Sequence, residues 1–157
     1  MITNFQEYYK LVEYFSEFTK ERMALAMGVY NLIQIFDEKY YRNVSGGILE
    51  AFGKLFYRDL KIYMYPYKDE NKGEYITSDN LKVHPRMKEL YKFFKNNWRL
   101  IDIKDYNQDI LHIFSRRVLK MIMSSEPWCE EMLPGGIAEL IKKDRLFGYI
   151  KRKKSVK

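Results

Sequence analysis

Residues 22–28 read RMALAMG, and the fold turns on them. Alanine, leucine and methionine favour a helix, whereas a short apolar run stopped by Gly28 is how a buried strand ends, so propensity and context disagree. Read as a strand, the run gives the element order β, α, β, α, α, β, α, β, α, α. That order implies a small Rossmann-like α/β fold: a mainly parallel sheet of three or four strands with helices on both faces. Read as a helix, it leaves a mostly α protein with a small β patch.

The neighbouring segments are clearer. Downstream, residues 45–66 read SGGILEAFGKLFYRDLKIYMYP. Ile48, Leu49, Phe52, Leu55 and Phe56 fall on one helical stripe, which predicts a helix turned to a core, with Ser45 as its cap and Gly46 and Gly47 as a tight entry. From Leu60 the period becomes two. Leu60, Ile62 and Met64 share one face of a strand, while Tyr63 and Tyr65 on the other meet a second layer or form a docking surface, until Pro66 removes a backbone donor.

Upstream, the apolar stripe from Phe5 to Phe18 predicts a helix over 5–19, capped by Asn4 and preceded by a short edge strand over 1–4. Helical spacing returns over 31–41. Beyond Pro66, a polar surface excursion over 68–80 carries a small strand at 74–77. Pro85 opens a helix through Met87, Leu90, Tyr91, Phe94 and Trp98, followed by a strand at 100–103. Asp105 or Asn107 caps a helix carrying Ile110 through Ile122, and Pro134, Gly135 and Gly136 open a last one through Ile137, Leu140 and Ile141. A single α/β domain over 1–149 with a basic tail over 150–157 is expected.

With 157 residues, 46% of them apolar and 17% aromatic, the chain has the composition of a folded domain and not of a disordered one. Cys129 is the only cysteine, which excludes an intramolecular disulfide and a cysteine-rich zinc site. No stretch approaches the ~18 apolar residues of a membrane span, and MITNFQEYYK lacks a signal core. The expected location is the cytoplasm or another reducing compartment such as an organelle matrix. From Lys142 onward eight basic residues stand against Asp144, which accounts for the whole formal charge of +7 and leaves residues 1–141 neutral. The basicity belongs to the end of the chain and not to a body shaped for nucleic acid.

Motifs for chemistry are sparse. His84 and His112 are the only histidines, and neither an HExxH nor a GxSxG arrangement occurs. No metal ligands, no cofactor and no catalytic residues are expected, and the balance leans against an enzyme. Helix starts with free N–H groups can hold a phosphate, so Gly28, Gly46, Gly47, Ser115 and Arg116 are candidates under a nucleotide-binding reading. None matches a GxGxxG or P-loop pattern, and a helix-entry turn explains the glycine pair. Lys151, Arg152, Lys153 and Lys154 form a basic run that could contact RNA, an acidic lipid surface or an acidic protein.

Taken together, ITNFQEYYKL, IFDEKYY, GGILEAFGKLF, DLKIYMYP, ITSDNLKV, IFSRRVL and LIKKDRLFGY resemble the C-terminal portion of a larger bacterial cytosolic protein family, inconsistently labelled TonB-dependent receptor or nicotinate-nucleotide adenylyltransferase. The resemblance covers nearly the whole chain to Tyr149. It implies a strand at 23–28, where the family is more β-branched and has a proline in place of Tyr30. It also implies that an N-terminal region, with any active site housed there, lies outside this chain, and that the basic run after Tyr149 is an addition. IFSRR and LIKKDRLFGY are similar to the C-terminal part of nucleotidyltransferases, which implies phosphate contacts at Ser115 and Arg116. The glycine and histidine motif of the first strand of such enzymes is missing. The leading expectation is a non-catalytic structural or protein-interaction subunit of a larger assembly, the tail making a secondary contact. The alternative is a nucleotide- or phosphate-binding domain.

Overall fold

Segment 22–28 holds a strand, Ala24–Gly28. In a computed structural model that describes residues 5–69, 72–124 and 130–150, β1 (Ala24–Gly28) pairs in parallel with β2 (Lys61–Tyr65), and β2 pairs in parallel with β5 (Leu100–Asp102). The sheet order β1-β2-β5 and the helices between its strands make a small α/β fold, as expected. The context of RMALAMG outweighs its helix propensity because Leu25 and Met27 stand opposite Ile62 and Met64 in the register, where a strand gives both an apolar neighbour.

The chain divides into two compact units, Met1–Tyr106 and Asn107–Lys157. In the first, α1 (Tyr8–Phe18) precedes β1, and α2 (Val29–Ile35) and α3 (Gly47–Leu55) lie between β1 and β2. A short antiparallel hairpin, β3 (Tyr67–Lys68) with β4 (Tyr75–Ile76), follows β2. Then α4 (Lys88–Asn96) leads into β5. One face of the sheet carries the core: Leu60, Ile62 and Met64 are fully buried with Phe36, Phe52 and Leu55. Aromatic rings knit the helices together, Phe36 against Phe52 and against Tyr91 at 5.1 Å each and Phe56 stacked on Phe94 at 4.1 Å. On the opposite face Ala24, Ala26 and Tyr63 remain exposed.

Several local expectations change. Leu49 is 67% exposed and does not join the core stripe, because Ala51 and Phe52 fill the buried face of α3. Ser45 does not cap α3. The cap position is Gly46, whose N–H donates to Glu50 Oε2 at 2.8 Å, so a carboxylate inside the helix replaces the serine. α2 ends at Ile35 instead of running through 41, since the buried Tyr41 hydroxyl donates to the Ile35 carbonyl at 2.8 Å and Asp37 starts a separate 3₁₀ turn. The cap and strand expected within 1–4 lie outside the described residues.

Between α3 and β2 the backbone takes two consecutive left-handed residues, Arg58 at φ 52° and Asp59 at φ 63°. Such conformations are costly for residues other than glycine. Here Arg58 Nη1 donates to the Thr19 carbonyl at 3.0 Å and Asp59 pairs with Arg99, so the turn entering β2 is tied to the segment before β1 and to the residue before β5. After α4, Trp98 takes φ 56° and ends the helix, leaving its ring 74% exposed instead of in the core stripe.

In the second unit the helix expected from Ile110 to Ile122 is split. Asn107 Oδ1 accepts from the Asp109 N–H at 2.9 Å and caps a 3₁₀ turn, Gln108–Ile110, after which α5 (Ser115–Ser124) starts afresh. Val118 and Ile122 of α5 bury against Ile141 of α6 (Ile137–Asp144), with Ile113, Met132, Leu133 and Tyr149 packed around them.

Candidate functional site

The phosphate candidates are spread over three helix starts. Gly28 precedes α2, Gly46 and Gly47 open α3, and Ser115 and Arg116 open α5 in the second unit. The Gly46 N–H is already engaged by Glu50, whose carboxyl is held below the ordinary range by that bond first and by Lys54 second. Gly47 needs its φ of +60° to enter the helix, which accounts for the glycine without a ligand. Ser115 and Arg116 are exposed. Lys151, Arg152, Lys153 and Lys154 lie outside the described residues.

The histidines have structural or surface positions. His84 Nδ1 accepts from the Arg86 N–H at 3.4 Å at the start of the Pro85–Met87 turn, and His112 is exposed. Among the described residues no three His, Cys, Asp or Glu side chains gather as a metal would require.

A cleft of about 410 Å³ lies beyond the carboxyl end of β1, where open α/β sheets commonly take ligands. Val29, Tyr30 and Ile33 of α2 form one side, and Tyr67 and Ile76 of the hairpin belong to its lining, with the Tyr30 and Tyr67 rings 6.0 Å apart. Of the sequence candidates in the first unit, Gly28 adjoins it, next to Val29, and Gly46 and Gly47 are not part of its lining. Tyr30 and Tyr67 were not legible as a pair, because residues so far apart in sequence meet only through the hairpin. The sole sequence sign was the polar excursion after Pro66.

A buried polar knot braces the sheet beside the hairpin. The Asp102 carboxylate on β5 accepts from the Ser78 N–H at 2.8 Å and from the Ser78 hydroxyl at 2.7 Å, while the Tyr91 hydroxyl donates to the Ser78 carbonyl at 2.7 Å. Every hydrogen-bonding group of Ser78 is thereby satisfied, and the knot reads as a brace. Burial pushes the Tyr91 hydroxyl above the ordinary tyrosine range, with Asp102 adding to the effect.

The other open feature is the sheet. Tyr63 stands at the middle of the central strand and is 36% exposed, flanked on the same face by the exposed Ala24 and Ala26 of β1 and the half-buried Ile101 of β5. Comparison with protein-family models, with curated proteins and with solved structures gives no match. Among the described residues no helix is long and apolar enough to cross a membrane.

Proposed function

We propose that the chain is a non-catalytic protein-interaction subunit of a larger assembly. The observation that carries this reading is the exposure of Tyr63 on the central strand between Ala24, Ala26 and Ile101. All-parallel sheets are ordinarily covered on both faces, and a small, flat aromatic face of this kind suits a protein partner. Phe93, Trp98 and Phe18 add exposed aromatic surface elsewhere. The test is isolation of the tagged full-length chain from its source cells, with and without Tyr63→Glu. A stoichiometric partner that is lost on substitution supports the reading; a chain that runs as a monomer with nothing bound counts decisively against it. The basic run Lys151, Arg152, Lys153 and Lys154 would supply a secondary contact with an acidic protein, RNA or lipid headgroups, and would make association steeply salt dependent. The single cysteine is in keeping with a reducing compartment.

A second reading, nucleotide or phosphate binding, is favoured by the cleft beside Gly28 with its paired Tyr30 and Tyr67 rings. Gly46 and Gly47 belong to another helix start of the same unit and are not part of that cleft's lining, and Ser115 and Arg116 open a helix of the second unit. Calorimetry with ATP, NAD and mononucleotides decides it, since heats indistinguishable from dilution at millimolar ligand remove the reading.

A further inference from the structure

β1 is the edge strand of the sheet, and among the described residues no strand pairs with its outer edge. The direction of its backbone groups follows from the ladder. The Lys61 N–H donates to the Met23 carbonyl at 3.4 Å, whereas Ile62 donates to Arg99 at 2.8 Å and Ile103 to Met64 at 2.9 Å. Lys61 and Tyr63 therefore face β1 while Ile62 and Met64 face β5, and by the same alternation Leu25 and Met27 turn their N–H and C=O groups toward β2. Ala24 and Ala26 turn theirs outward. Both residues are exposed, and among the described residues no hydrogen bond takes those groups. The usual protections of an edge, a lysine, a proline or a bulge, are missing from ALAMG.

Beside this edge, on the core side of the sheet, lies an apolar cavity of about 250 Å³ lined chiefly by Leu11, Phe15, Met23, Leu25 and Leu60. A strand laid against β1 would place every second side chain on that side. We propose that β1 accepts an extended segment of a partner protein as a fourth strand, with one large apolar side chain of that segment seated in the cavity. The outward donors and acceptors of Ala24 and Ala26 select backbone in the β conformation, and the cavity selects leucine, isoleucine or phenylalanine at one position. At the start of the edge, the exposed Lys20 and Arg22 make no ion pair among the described residues and outnumber Glu21, which favours an acidic residue flanking the added strand. A second copy fits less well. The large side chains of its β1, Leu25 and Met27, are already packed into its own core.

This inference rests on the protein-interaction reading and names the kind of segment that would be bound. Its test uses the full chain and a displayed library of nine-residue peptides with alternating apolar and polar positions. The expected result is a selected peptide that slows amide exchange at Ala24 and Ala26. Its affinity falls at least tenfold with Ala26→Pro, which removes an outward donor and no ladder bond, and is kept with Ala26→Val. Circular dichroism checks that the proline variant folds; should it not, the exchange protection in the unsubstituted chain still decides. Unchanged exchange at Ala24 and Ala26, equal binding by the folded proline variant, or no peptide selected at all overturns the inference. A dimer that dissociates on Ala26→Pro also overturns it, in favour of a second copy. In the assembly isolated from cells, a partner that stays bound to the folded Ala26→Pro chain sinks the edge inference alone, whereas failure to find any partner sinks the broader reading.

Discussion

Ser78 shows how a residue with no sequence signal can hold the fold. It is the one buried polar residue among those described, and Asp102 and Tyr91 satisfy it from two other elements. Asp102→Ala leaves both Ser78 donors without partners and is expected to cost about 2–4 kcal/mol in denaturant unfolding, against about 1–2 kcal/mol for Tyr91→Phe, which strands one carbonyl. Measured losses below about 0.5 kcal/mol for Asp102→Ala would show that water replaces the carboxylate freely. Burial raises the hydroxyl pKa of Tyr41 and of Tyr91. A raised acid keeps its stabilising effect below the unfolded value and loses it as pH climbs toward the folded one. Melting temperature should therefore fall steadily above about pH 10, where tyrosines ionise in the unfolded chain. The double variant Tyr41→Phe, Tyr91→Phe starts lower and shows a flatter alkaline limb.

At the scale of elements, α3 is where sequence patterning was most informative and also misled. Its helical span, the burial of Phe52 and Leu55 and the strand that follows were legible from periods of 3.6 and 2. Leu49 looked equally apolar, but a stripe read from sequence is wider than the surface a neighbouring layer covers. Ser45 looked like the cap, but Glu50 reaches back instead. Glu50→Ala should lower the melting temperature by a few degrees near neutral pH, whereas Ser45→Ala should leave it unchanged. Because the Glu50 pKa is depressed, its effect is present above the unfolded glutamate value and disappears as pH falls below about 4. Phe52 touches Phe36, Tyr41, Phe56 and Phe94, so Phe52→Ala removes the hub of the aromatic cluster. A loss of about 3–5 kcal/mol in chemical denaturation is expected, against little effect for the exposed Leu49→Ala.

Over the whole molecule the two units differ in what holds them. Residues Met1–Tyr106 contain the sheet and a buried cluster running from Tyr9 to Leu100, whereas the described core of Asn107–Lys157 centres on Val118, Ile122 and Ile141. A core that small seldom sustains a fold alone, while about 100 residues with a continuous core do. A fragment ending at Tyr106 is accordingly expected to unfold cooperatively with mixed α/β circular dichroism, and a fragment starting at Asn107 to give a disordered spectrum. A sharp melting transition in the second fragment would contradict this account.

The candidate surfaces divide along the same line between local and non-local information. Gly28, Gly46, Gly47, Ser115 and Arg116 were visible because helix starts leave local marks. The cleft between Tyr30 and Tyr67 and the outward edge of Ala24 and Ala26 were not, since each exists only once separate segments are brought side by side, whereas the period of two had already set Tyr63 on the face away from Leu60, Ile62 and Met64. What the sequence by itself determined is the alternation of helices with β2 and β5, written in hydrophobic periodicity and turn residues. Only the tertiary structure decided that RMALAMG is a strand, because its small, helix-favouring residues become extended when Leu25 and Met27 gain Ile62 and Met64 as neighbours, a stabilisation no local propensity contains.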